Sequence, residues 1–162
     1  GCEVDINPDG TIALEDKYLA KFDIVLASIH SNFKMPKAEQ TKRLIRAIEN
    51  QHVDIIAHPT GRIIHQRAGY EFDFDEVAKA AARTKTILEA NCYPDRLDFN
   101  DVNIRRAIEH GARISFGTDS HSKTQLGNLW LGIAQARRGW ATKKDCLNCL
   151  TADELLKFLK GK

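Results

Sequence analysis

The chain has 162 residues and a net charge of +2, which fits one domain with a core large enough to need no disulfide or metal staple. So small a charge does not by itself imply a nucleic-acid partner, and it does not exclude one, because charge can be local. No apolar run reaches the ~20 residues of a membrane span, and the start lacks the basic-then-apolar pattern of a secretion signal, so no membrane and a cytoplasmic location are expected.

Five segments share one design: a short apolar run, then polar or ionisable residues, then a helical pattern. They are GCEVDI at 1–6, DIVLASIH at 23–30, VDIIAHP at 53–59, TILEANCYP at 86–94 and RISFGTDSH at 113–121. DIVLA and VDIIA are nearly continuous in apolar residues, as in strands buried on both faces. Helices are predicted between them. The first, at 14–22, is short, and one at 38–50 sets Leu44, Ile45 and Ile48 opposite Lys and Arg. A helix over 75–84 follows an aspartate able to cap it, and Asn100 or Asp101 caps another that stops at Gly111. Residues 65–74 read as a long loop. Helices are then predicted at 126–138 and 142–147, and a last one opens on a Thr151–Glu154 capping box. Alternating strands and helices imply βαβ units and a parallel sheet, hence an α/β fold.

The four cysteines are Cys2, Cys92, Cys146 and Cys149. The last two form a C-x-x-C, but in a helix-and-cap setting with no second pair or histidine to complete a zinc knot. They read as buried or half-buried thiols of a reducing compartment.

Ionisable residues fall where the strands end, which is where parallel α/β folds place catalytic groups. Glu3 lies in the first run; His30 ends the second and His58 the third; Asp119 and His121 end the fifth, and the fourth ends in Asn91. A lone histidine at a strand end is usually a hydrogen-bonded loop residue. Five such groups at converging strand ends would share one small space, and imidazole with carboxylate suits Zn, Mn or Fe. His52 and His110 sit at helix C-terminal ends, where an imidazolium is favoured by the dipole, and His65 lies in the long loop. In His58-Pro59-Thr60-Gly61-Arg62 the glycine permits close backbone approach and Arg62 offers a fork suited to phosphate, or is a surface arginine beside a turn. Arg96 and Lys123 invite the same two readings. Lys34, Lys37, Lys42, Arg43, Arg62 and Arg67 form either a nucleic-acid track or ordinary solvated faces.

These strings resemble the PHP (polymerase and histidinol phosphatase) family, above all the C-terminal PHP domain of bacterial and archaeal family X DNA polymerases. The matching strings run from GCEVDI through ASIHS, HPTGR, NCYPDRLD and GTDSH to the closing LNCLTADELL, nearly the whole chain. The Thr-Gly-Arg after His-Pro and the Asn-x-Tyr-Pro favour the polymerase branch. The resemblance implies a distorted (β/α)7 TIM-like barrel with parallel strands, outer helices and up to three metal ions. In it Glu3 bridges two metals and Asp119 shares one of them, His30 and His58 complete the second centre, and His121 belongs to the third. It also implies 3′-5′ exonuclease or related phosphoesterase activity in DNA repair, usually with manganese, with DNA ends as substrate and a polymerase domain upstream. The family's opening His-x-His and the ligands after it are absent, so residues 1–162 are expected to be the C-terminal portion of a single PHP domain.

On the enzyme reading, Arg62 holds a phosphate oxygen and Asn91 orients substrate or water. Two alternatives stay open. One is a small-molecule phosphatase of the histidinol-phosphate kind, and the other is a catalytically incomplete DNA-binding or scaffold piece.

Overall fold

The structure, a computed structural model, describes residues 1–161. All five expected strands form: β1 (Cys2–Asp5), β2 (Val25–Ser28), β3 (Ile55–Ile56), β4 (Ile87–Asn91) and β5 (Ile114–Gly117). They pair in parallel, in the order β1-β2-β3-β4-β5. A doubly wound sheet reverses its strand order at a switch point, and this one does not. Unreversed order is what a stretch of barrel wall has, but β1 and β5 do not pair with one another, so what is present is an open five-stranded sheet.

The helices are α1 (Asp16–Leu19), α2 (Lys37–Ile48), α3 (Phe74–Thr84), α4 (Asp101–Glu109), α5 (Leu129–Arg138) and α6 (Ala152–Lys160). The expected caps are in place. Asp73 accepts from the Glu76 N–H at 3.1 Å, Asn100 from the Asn103 N–H at 2.9 Å, and Thr151 and Glu154 close a capping box. Gly111 ends α4 at φ +84°, a conformation costly to residues with a Cβ.

Two helix expectations need correction. Residues 142–147 form not a helix but two single turns of 3-10 helix, Lys143–Asp145 and Leu147–Cys149. Asp145 accepts from both the N–H and the hydroxyl of Thr142, which closes one tight turn, and Cys146 is then extended at φ −108°. Cys149 is consequently exposed rather than half-buried; all four thiols are free. Likewise, residues 126–128 belong to a 3-10 segment, Lys123–Asn128, and α5 starts only at Leu129. The side-chain Oε1 of Gln125 accepts the N–H groups of His121 and Ser122, which winds that segment tightly.

Side chains alternate across a strand, so the parallel register sorts the sheet into two faces. On one, Ala27, Ile29, Ile56, Leu88, Ala90 and Ile114 pack with buried residues of α2, α3, α4 and α5. The other face is divided along the strands. Near their starts Leu26, Ile55 and Ile87 meet Leu147 and the α6 residues Leu155, Phe158 and Leu159. The same face carries Glu3, level with Leu26, and nearer the strand ends Asp5, Ser28, Glu89 and Asn91. On the ionisable half Glu3 and Asp5 are exposed, while Ser28, Glu89 and Asn91 are buried.

Candidate metal centre

Period-two alternation sends Glu3 and Asp5 of β1 to one face, and His30 extends from β2 toward the same place. His58, at the end of the β3 segment, completes a trio. Its Nε2 lies 3.2 Å from Glu3 Oε1, and His30 Nε2 lies 3.6 Å from the same oxygen. The two imidazole centroids are 5.2 Å apart, and one donor atom from each of the three residues lies within 4.8 Å of the others. His30 Nδ1 meets Asp5 Oδ1 at 2.6 Å, which fixes the ring so that Nε2 faces Glu3. His58 has a left-handed backbone, φ +30°, a strained conformation of the kind that gathers at functional sites.

The electrostatics follow from this packing. The hydrogen bond from His58 holds the Glu3 carboxyl at about 2, although partial burial works the other way. Burial disfavours the imidazolium of His58, but the Glu3 hydrogen bond and the Glu3 and Glu89 carboxylates outweigh it, and the net shift is upward. His58 Nδ1 is buried and, among the described residues, has no hydrogen-bond partner. Two imidazoles and a carboxylate with donor atoms this close, one ring nitrogen left unsatisfied, are a donor set that fits Zn, Mn or Fe.

Beneath the trio lies Glu89, in the middle of β4. Its Oε2 accepts from the His58 backbone N–H at 2.7 Å and from the Asn91 side chain at 3.2 Å. Desolvation raises its pKa to about 7. A Cβ on Gly117 would fall 1.9 Å from Glu89 Oε1, so the neighbouring strand needs glycine there. Asn91 is 1 % exposed; its amide donates to Glu89 and its carbonyl oxygen accepts the Tyr93 N–H. It thus braces Glu89, which is a different placement from one that faces substrate.

Asp119 and His121 do not join the trio. Asp119, at φ +50°, pairs with Arg96 at 3.2 Å, and His121 is exposed with Nδ1 2.8 Å from the Asp119 carbonyl oxygen. Asp119 and its partner Arg96 still stand near the site, since they act electrostatically on Glu89 and His58 respectively. Arg62 is corrected as a free phosphate fork. It donates through Nε to the Arg96 carbonyl at 2.7 Å and through Nη2 to that of Leu97, and so holds the loop bearing Arg96. Arg96 is the arginine whose charge reaches the site. Arg43 is corrected too: it is 1 % exposed, with its guanidinium on the carbonyls of Ile6, Asn7 and Ser31. Arg67 stacks on Phe33, with its Cζ 3.9 Å from the ring centroid. His65 and Lys123 are exposed, His52 is half-buried beside Gln51, and His110 caps α4 against Asp75 at 3.0 Å.

Sequence reasoning missed Asp5 and Glu89. Both carried a signal: Asp5 lies two residues after Glu3 and so on the same face, and Glu89 is a lone carboxylate inside an apolar strand run.

No family model matches the chain. It is 46 % identical over 160 residues to the DNA polymerase/3'-5' exonuclease PolX of Bacillus subtilis, covering 99 % of this chain and 28 % of that protein. A probable phosphatase of Shewanella sediminis is 34 % identical over 168 residues, with 98 % of this chain and 65 % of the relative covered. Another, from Thermoanaerobacter sp. strain X514, is 29 % identical over 172 residues, with 100 % of this chain and 67 % of the relative covered. The chain therefore spans just over a quarter of the polymerase and about two-thirds of the phosphatases. On these alignments nearly the whole chain is similar to one part of PolX, a likeness that supports a PHP-like domain, and to about two-thirds of the length of the probable phosphatases.

Proposed function

We propose that this chain forms much of a metal-dependent phosphoesterase site that processes DNA 3′ ends as a 3′-5′ exonuclease, as one wall of a barrel in a family X polymerase. The observation that carries the reading is the Glu3–His30–His58 trio, with one donor atom of each within 4.8 Å. The polymerase/exonuclease name of the 46 %-identical relative supports DNA as the substrate and a polymerase domain in the same protein. Among the described residues no helix is long and apolar enough to cross a membrane; a cytoplasmic setting accords with DNA repair.

Manganese, or zinc or iron, held by the trio would supply Lewis acidity at a phosphoryl oxygen and acidify a water. The chain's own residues do the rest. Asp5 keeps the His30 ring in the orientation that points Nε2 at Glu3. Glu89 tethers the His58 backbone, and the low Glu3 pKa of about 2 keeps that carboxylate ionised at neutral pH. Arg96, held beside the site by Asp119 and by Arg62's grip on its carbonyl, is placed to meet negative charge that grows on a transferring phosphoryl group.

The probable-phosphatase relatives favour a second reading, a small phosphomonoester substrate. One assay separates the two. A 3′-labelled single-stranded oligonucleotide and a small phosphomonoester are each incubated with Mn and the chain, native or His58→Ala. Cleavage of the oligonucleotide, lost by at least about a hundredfold in the variant, is expected. Equal rates in the two proteins would sink the site assignment, and turnover of the phosphomonoester alone would select the second reading.

A further inference from the structure

Beside the trio lies a cavity of about 490 Å³ bounded by the loop before α3, the first turn of α4 and the segment just after His58, within the usual range for small-ligand sites. The trio does not line it, but Thr60 in its wall is two residues beyond His58 and donates its backbone N–H to the buried Asp98, also in the wall, at 3.0 Å. One wall is aromatic. Phe72 is half-buried between Tyr70 and Phe74, with ring centroids 5.7 Å and 6.1 Å away. Phe74 is closed on its far side by Phe99 at 5.2 Å and by Arg106, so Phe72 is the ring with a face to offer.

The polar groups opposite are of a particular kind. Asn103 is half-buried on α4, and its side-chain amide, unlike its backbone N–H, has no partner among the described residues. An amide offers one donor and one acceptor side by side, the pattern that reads a base edge. The cations of the wall are already answered: Lys37 by Asp73 at 3.7 Å, and Arg62 by the two carbonyls it holds. A phosphate would find there only one exposed lysine, Lys37, in a loose pair with Asp73. A flat, neutral, hydrogen-bonding heterocycle would find an aromatic face and a vacant amide.

We propose that this cavity seats a nucleobase of the single-stranded substrate, stacked on Phe72 and hydrogen-bonded to Asn103, so that the adjoining phosphodiester is held toward Glu3, His30 and His58. The inference rests on the DNA-processing reading and adds a base subsite to it. It makes the enzyme sensitive to whether a base is present near the scissile bond, with tolerance for which base it is.

The test separates binding from cleavage. Oligonucleotides carrying 2-aminopurine, or an abasic nucleotide, at each of the positions nearest the 3′ end are titrated with the full chain without divalent cation. Fluorescence reads the first and competition the second. One position is expected to show quenching and about tenfold tighter binding with a base than without, as stacking on one aromatic gives. Phe72→Leu and Asn103→Ala, checked for native circular dichroism, should each move that ratio toward one. No base effect at any position, or a full effect in both variants, overturns the subsite. Mn-dependent cleavage run in parallel distinguishes the failures. Cleavage without a base effect leaves the exonuclease reading and removes the pocket; a base effect without cleavage does the reverse.

Discussion

Glu89 is the residue on which the site's acid–base behaviour turns. It is 4 % exposed, and burial raises its carboxyl from the model-peptide 4.5 to about 7 while the His58 backbone and Asn91 hold it in place. A carboxyl with a raised pKa keeps its proton in the folded state over a range where the unfolded chain has lost it. The folded state then binds more protons, and stability falls as pH rises from about 4.5 through about 7. His58 is raised as well, so its contribution is also lost as pH rises through its folded-state value, and part of that shift comes from the Glu89 charge. Glu89→Gln keeps the acceptor for the His58 N–H and deletes the titration. In metal-free buffer its urea midpoint should be flatter across this window than that of the native chain. An unchanged slope would mean that Glu89 does not titrate there. The carboxylate was legible as an oddity, one ionisable group in an apolar strand. Its role was not, because what it holds is a backbone N–H 31 residues away that no local pattern encodes.

Helix α2 shows how far a helical pattern reaches and where it stops. Leu44, Ala47 and Ile48 are buried, as the spacing of apolar residues foretells. Arg43 reads as part of the solvated face, yet it is buried and binds the carbonyls of Ile6, Asn7 and Ser31, the chain just beyond β1 and β2. Those carbonyls belong to strand ends that carry Glu3 and His30, and a sequence shows donors without showing orphan acceptors. Arg43→Met removes the donors and keeps the stem, leaving buried acceptors unpaired at a cost of about 2–4 kcal/mol. Arg46 on the same helix makes exposed contacts with Asp9 alone, to its carboxylate at 3.3 Å and its carbonyl at 3.0 Å, and Arg46→Met should cost under about 1 kcal/mol. Denaturant midpoints of the two variants decide it; equal losses would place Arg43 outside the clamp. The helix misread at 142–147 has the same lesson in local form. Thr142 and Asp145 are good helix-start residues, and their mutual hydrogen bonds end the turn instead of extending it.

At the scale of the whole molecule, the strand–helix alternation was legible and the closure was not. Apolar runs fix that the strands are buried and parallel, but nothing within one run states which strands are its neighbours. Unreversed order leaves β1 at an edge, four residues long with β2 as its one neighbouring strand, and with Glu3 in its middle. The trio draws one ligand from β1, one from beyond β2 and one from the end of the β3 segment, so a cation there would tie the edge strand to its two neighbours. Binding to the folded state alone stabilises by mass action, ~2.7 kcal/mol at a hundredfold excess over Kd. For a domain of this size that is a Tm increase of roughly 5–10 °C with Mn. His30→Ala and His58→Ala should lose the increase, whereas His121→Ala, outside the trio, should keep most of it. Slowed amide exchange should accompany the increase in β1 rather than spread evenly, because the strand with one hydrogen-bonded neighbour gains most from a second tether. An Mn-dependent Tm increase that persists in His58→Ala would put the cation elsewhere on the chain.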